Sequence, residues 1–206
     1  MKNILIVLAF LAVAITAKAQ QGSISLLTFE SYTFADKYQT YYGYGRVESA
    51  FSWGGGLEFG VDNRTAVELI YQNYKGDAYY DDYLYNRVNG AATFNYIMLG
   101  GTSYAPMNEK VSGFGSFDLG MCIISPSGNI ATYSSDVTKF AMGGRLGVRI
   151  APSDRISLRL HAQLMSPLQW FGGGYYFGSG GGGASVSAGG TIFQFNLGGS
   201  VNIRIK

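Results

Sequence analysis

An all-β fold, a closed antiparallel eight-stranded up-and-down barrel, is what three features of this 206-residue sequence predict. Apolar and polar residues alternate with period two through most of the chain, the signature of strands with two unlike faces. The connections between alternating segments are short and long by turns. The composition, with 30 Gly, 16 Tyr, 13 Phe and 4 Pro, suits closely packed pleated backbone with many turns.

The first residues stand apart from this pattern. Lys2 precedes an apolar run from Ile4 to Ala17, and Ala17-Lys18-Ala19 places small residues where a signal peptidase reads. Residues 1–19 are expected to be a secretory signal peptide and residues 20–206 the barrel domain. The run is shorter than the ~20 residues of a membrane-spanning helix, and no later segment is long and uniformly apolar enough to replace it. Without Lys2 and Lys18 the 15 basic residues become 13, matching the 13 acidic ones. A neutral exported chain has no basic excess for a nucleic-acid partner. The lone cysteine, Cys122, excludes an internal disulfide and, with no second Cys or further His to join it, reads as a small packing residue.

Eight strands follow, at about 22–35, 46–61, 65–75, 90–104, 111–124, 138–151, 156–168 and 188–205. Asp62-Asn63-Arg64, Ala105 to Lys110 and Pro152 to Arg155 are short turns, each with turn-forming Asn, Asp, Ser or Pro. Asp36 to Gly45, Gly76 to Asn89, Ser125 to Val137 and Phe171 to Ala188 are long, rich in Tyr, Gly, Asp and Ser. With an even strand number, all short turns and both termini fall at one end of the barrel and all long loops at the other. That asymmetry belongs to barrels that cross an outer membrane.

Which face is wet follows from residue size. One face carries Phe51, Trp53, Leu57 and Phe59 in the second strand and Val111, Phe117, Leu119, Met121 and Ile123 in the fifth. It continues as Phe140, Met142, Leu146, Val148 and Ile150 in the sixth strand and Ile156, Leu158, Leu160, Ala162 and Leu164 in the seventh. The opposite face is dominated by Gly, Ser and Ala with a few charges, too small to shield a sheet from solvent but suited to a crowded lumen. In the last strand Phe193, Phe195, Leu197, Val201, Ile203 and Ile205 are expected to face lipid, and Gln194, Asn196, Ser200, Asn202 and Arg204 the lumen. Lipid tolerates no open sheet edge, so the eighth strand is expected to pair with the first near Ser23 to Phe29. Clusters at Tyr41, Tyr42 and Tyr44, at Tyr79, Tyr80 and Tyr83, and at Trp170, Phe171, Tyr175 and Tyr176 suit an interfacial girdle and its loops.

On this architecture the chain resembles the small eight-stranded outer-membrane β-barrel proteins, a family that includes the barrel domain of outer membrane protein A. It departs from them in ending Arg204-Ile205-Lys206 where such chains commonly end in an aromatic residue. The resemblance implies an outer-membrane location in a Gram-negative envelope, contact with outer-membrane lipids and lipopolysaccharide, and the barrel-assembly machinery as partner during insertion.

An eight-stranded barrel has a lumen that side chains just fill, which argues against a general porin. Glu58, Glu68, Asp118, Arg145, Arg149, Arg159 and Arg204 fall on the inward face and are expected to form a structural ion-pair network. Glu58, Glu68, Arg149 and Arg159 lie near the short-turn end, Arg204 lower, and Asp118 and Arg145 near mid-height. His161, the single histidine, points inward without a serine or carboxylate placed beside it at a rim, so it reads as a filled-core residue. The glycine run at 171–190 lacks the Gly-Lys-Ser/Thr and helix of a phosphate loop and reads as an external loop. No cofactor or metal motif is present. The stretch 77–86 holds Tyr79, Tyr80, Asp81, Asp82 and Tyr83, candidate contacts for an external ligand. A non-enzymatic role in envelope integrity or surface interaction is expected; a narrow channel, a lipid-modifying outer-membrane enzyme and a soluble lipophile-binding barrel are the alternatives.

Overall fold

The structure, a computed structural model, describes residues 22–40, 43–82, 87–132, 136–168, 173–178, 181–186 and 192–205. The expected signal peptide lies outside them.

The three short turns are built by one device. Asp62 Oδ1 accepts from the backbone N–H groups of Arg64 and Thr65, both at 2.7 Å, and Asn108 Oδ1 accepts from those of Lys110 and Val111 at 2.9 and 2.8 Å. Ser153 Oγ accepts from Ile156 N–H at 3.1 Å. In each case a short polar side chain satisfies the amides that the reversal leaves unpaired and fixes the start of the next strand.

The ring consists of β1 (Ile24–Thr33), β4 (Ala50–Gly60), β5 (Thr65–Asp82), β6 (Arg87–Pro106), β7 (Val111–Gly128), β8 (Val137–Ile150), β9 (Ile156–Leu168) and β12 (Gln194–Arg204). Each pairs antiparallel with its neighbour, and β12 closes on β1 from Ser25↔Arg204 to Thr33↔Asn196. Closure leaves no free edge in the ring. Two hairpins stand outside it. β2 (Asp36–Thr40) pairs with β3 (Gly43–Val47), and β3 continues the sheet along the upper part of β5, from Gly43↔Asp82 to Val47↔Ala78. β10 (Gly173–Gly178) and β11 (Gly181–Val186) pair with each other.

The faces separate as apolar out and polar in. On β12, Phe195, Leu197, Val201 and Ile203 are exposed while Gln194, Asn196, Ser200 and Asn202 are buried, Asn196 completely. β4, β7, β8 and β9 repeat this with Phe51, Trp53, Phe117, Leu146 and Leu160 outside. β1, β5 and β6 depart from it: β1 buries Leu27 and Phe29 beside Ser25, Ser31 and Thr33, β5 buries Ile70 and Tyr74, and β6 buries Phe94, Tyr96 and Met98. Near the hairpin end aromatic side chains gather outside the ring: Tyr32 stacks edge-on with Phe34 at 5.3 Å, Phe34 meets Phe195 at 5.5 Å, and Trp53 meets Tyr71 at 6.0 Å.

The strands do not all stop where the loss of alternation suggests. Of the expected loop Gly76 to Asn89, residues 76–82 belong to β5 and 87–89 to β6, and β7 likewise runs on to Gly128. Above an apolar belt both faces of a hairpin meet water, so polarity ceases to alternate although backbone pairing continues. At Gly128 the chain turns with φ +72° into a 3-10 turn, Asn129–Thr132, a conformation open to glycine at little cost.

Candidate functional site

The inward-facing charges converge into one lattice spanning the lower lumen. Arg145 on β8 donates from Nη2 to Glu68 Oε2 at 2.5 Å on β5, and to Asp118 on β7 at 3.1 Å from Nη2 and 3.3 Å from Nε. Arg159 on β9 donates from Nη1 to Glu68 Oε1 at 2.7 Å and from Nη2 to Glu58 and to the Tyr104 hydroxyl. Tyr104 in turn donates to Glu58 Oε2 at 2.5 Å. The Asn202 amide, with its oxygen toward Arg159, accepts from Nη2 at 2.6 Å and Nε at 2.9 Å.

Glu68 is the hinge of this arrangement, because each of its oxygens takes one arginine. Arg145, Arg159, Glu68 and Asp118 are each at most 1 % exposed, so the charges are screened only by one another. Burying such ions costs several kcal/mol apiece, offset here by multiple charge-assisted hydrogen bonds between strands far apart in the ring. Phe29 and Phe114 complete the shell, lying 5.2 Å from the Arg145 guanidinium and 5.3 Å from that of Arg159. Gly100 is part of the fit, since a Cβ there would collide with the Asp118 carboxylate.

Two of the expected members lie apart. Arg149 donates to Ser157 Oγ at 3.1 Å and rests 5.0 Å from the Tyr104 ring, with no carboxylate in ion-pair reach among the described residues. Arg204 keeps the inward parity opposite Ser25 but is exposed at the very end of β12, beyond the last buried position, Asn202, and forms no ion pair among the described residues. Conversely, Asn202, expected only to face the lumen, joins the lattice, and Tyr104 belongs to it without having been singled out. Tyr104 was within reach of sequence reading, since it shares the inward parity of Thr102 in a 90–104 strand.

His161, two residues from Arg159 on β9, borders the lattice edge-on to Phe29 at 6.3 Å, with Nε2 3.5 Å from Ser31 Oγ. Above the lattice the lumen becomes neutral. Tyr96 donates to Gln194 Oε1 at 2.7 Å, and Gln72 Nε2 donates to Ser52 Oγ at 3.2 Å. Cys122 is buried in the same apolar cluster as Tyr96 and Met98.

At the outer rim, Asp81 forms an ion pair with Arg87 at 3.1 Å, and Arg87 lies 3.9 Å over the Tyr79 ring. The Tyr44 hydroxyl also donates to Asp81, and that bond, with the carboxylate's charge, raises the phenol above its ordinary value. Tyr80 and Asp82 sit on the same stretch of β5, opposite Gly45 and Gly43 of β3. Tyr83, like Tyr41, Tyr42, Trp170 and Phe171, lies outside the described residues. The rim thus brings Tyr79 and Asp81 together around one arginine, which takes up the Asp81 charge.

By structure the chain is similar to Neisserial surface protein A, with a TM-score of 0.57 and 12% identity over 88% of this chain and 97% of that one. It is also similar to the outer membrane protein OprG from Pseudomonas aeruginosa, with a TM-score of 0.56 and 10% identity over 88% and 96% of the two chains. The fold is that of the small outer-membrane β-barrels. Compared with protein-family models and with curated protein sequences, the chain matches none. At such identities the outer-membrane barrel fold is shared, and the roles of individual residues rest on this chain's own geometry.

Proposed function

We propose that this chain is an integral outer-membrane protein that performs no catalysis and serves envelope integrity or surface interaction, its lumen closed by side chains and its hairpins offered outside the cell. The observation that carries the reading is the arrangement of the two faces: a continuous exposed belt of Phe, Trp, Leu, Ile and Val surrounds an interior that buries the charges and amides together with an apolar cluster. Such a belt in water would be an aggregation surface far larger than the patches soluble monomers expose. In a bilayer it is the surface lipid requires, with lipopolysaccharide and phospholipid as neighbours and the assembly machinery as partner during insertion.

The lattice supports closure. Arg145 and Arg159 bridge β8 and β9 to β4, β5 and β7 across the lumen and occupy its section below mid-height. His161 and the Ser31 hydroxyl beside it are buried in the lumen, away from a substrate in lipid, which supports a non-enzymatic role. The rim hairpins bring Tyr79 and the Asp81–Arg87 pair to the outside, where an external partner would meet them.

Cell fractionation with electrophoresis of heated and unheated samples tests the reading. The chain is expected in the outer-membrane fraction, with a mobility that changes on heating. Recovery in the soluble fraction with one mobility would overturn it.

A further inference from the structure

The lipid-facing belt is not uniform around the ring. Between Phe140 and Ile150 on β8, Ile156 and Leu164 on β9, and Phe195 and Ile203 on β12, every outward position is apolar or glycine. The sector of β1, β4, β5 and β6 differs. On one side of β4 it turns Thr28 and Glu30 of β1 outward, and on the other Asn73 of β5 and Asn95 of β6, with Lys75 exposed further along β5 toward the outer rim. The register sets Glu30 and Asn73 on either side of the same residue, Trp53 of β4.

The two sides of β4 have opposite hydrogen-bonding character. Glu30 offers acceptor oxygens and, among the described residues, makes no hydrogen bond or ion pair. On the other side the Asn95 oxygen is already filled, accepting from the Tyr71 hydroxyl at 2.8 Å and the Asn73 amide at 2.9 Å. What remains there is chiefly donor capacity, in the amides of Asn73 and Asn95 and in the Lys75 ammonium, which has no partner among the described residues. An unpartnered carboxylate on the lipid face is destabilising. Glu30 stands opposite Gly199, the midpoint of the outward run from Phe193 to Ile205, too deep for a lipid head group to reach it. The complement of an acceptor on one side of a strand and donors on the other is the same surface turned about a two-fold axis.

We propose that the outer face of β1, β4 and β5 is the interface of a two-fold homodimer within the membrane, Glu30 of each protomer accepting from the donors on β5 of a second copy of this chain. This rests on the outer-membrane reading above. An axis along the membrane normal beside β4 brings β1 of each protomer against β5 of the other, so the contact forms twice. Strand tilt sets Asn73 and Lys75 somewhat nearer the outer rim than Glu30, so the amide and the lysine stem come down on the carboxylate from above. Gly55, beside Thr28 in the sheet, and Gly199, beside Glu30, carry no side chains, which lets the two barrel walls approach closely. Phe51 and Trp53, both exposed on β4, pack at the axis.

Disulfide trapping and subunit association of the full barrel in phosphatidylcholine vesicles test this. In a Cys122→Ser background, Leu57→Cys on β4 is expected to give a cross-linked dimer under mild oxidation, and Leu146→Cys on β8, across the ring, none. Energy transfer between barrels labelled on a short turn measures association directly. Glu30→Leu makes the belt more apolar and should leave the heat-dependent mobility unchanged while weakening association about tenfold, the scale of a lost hydrogen bond to a charged group. A barrel that stays monomeric at every protein-to-lipid ratio, equal trapping at the two cysteine positions, or association undiminished in Glu30→Leu would overturn the proposal. Failure of the wild type to reach a heat-modifiable form in vesicles would overturn the membrane reading and the proposal with it.

Discussion

The lower lumen is held by paired charge, whereas the upper lumen is filled by an apolar cluster that includes Ile70, Phe94, Met98 and Met165, with neutral polar groups set among it. Below mid-height, Glu58, Glu68, Asp118, Arg145 and Arg159 are matched by direct bonds, and Tyr104 and Asn202 take up remaining donors and acceptors. Above it, both side-chain polar atoms of Gln163 and of Asn196, together with Ser166 Oγ and Gln194 Nε2, meet no protein partner; beside the lattice the same holds of single atoms only, His161 Nδ1, Thr102 Oγ1 and Ser116 Oγ. Stability and closure therefore reside in the lower storey, where geometry is dictated by charge pairing, whereas the upper storey tolerates exchange.

Arg159→Met attacks the comparison hardest. It leaves Glu58 and half of Glu68 buried without a counter-charge, and a loss of about 3–5 kcal/mol is expected in urea titrations of the folded barrel in vesicles. Tyr104→Phe removes one hydroxyl that donates to Glu58 and receives from Arg159, and should cost about 1–2 kcal/mol in the same assay. Gln163→Leu, in the upper storey, exchanges an amide lacking protein partners for an apolar group of similar size and should change stability by less than about 1 kcal/mol. A loss at Gln163 equal to that at Arg159 would erase the distinction between the two storeys.

The smallest effect lies at the short turns. The backbone N–H of Arg64, with that of Thr65, stabilises the Asp62 carboxylate and holds it below the ordinary carboxylate value. A carboxyl lowered in the folded state contributes stability above its unfolded pKa and loses it as pH falls through the folded one. The stability difference between the wild type and Asp62→Asn should therefore shrink as urea titrations move from neutral pH into the acid range. A difference independent of pH would remove the carboxylate from the turn's account.

Much of this was legible in the alternation itself. Eight strands, three short turns and the closing pair of first and last strands follow from period two plus connection length, because one wrong register would bury Phe195 and expose Asn196. The inward charges were legible by parity, since Arg145 and Arg159 share a face with Gly143, Gly147 and Ser157. What sequence could not supply was which carboxylate meets which arginine: Glu68 and Arg159 stand 91 residues apart and meet only through the ring's curvature. The upward extensions of β5, β6 and β7 were hidden because alternation ends where the belt ends.

The central claim is that the lumen is closed by a structural lattice, and planar-bilayer recording of the purified wild-type barrel tests it most directly. The account predicts current at the level of the bare bilayer across the applied voltage range. Discrete, reproducible conductance steps carried by the folded, heat-modifiable protein would contradict it.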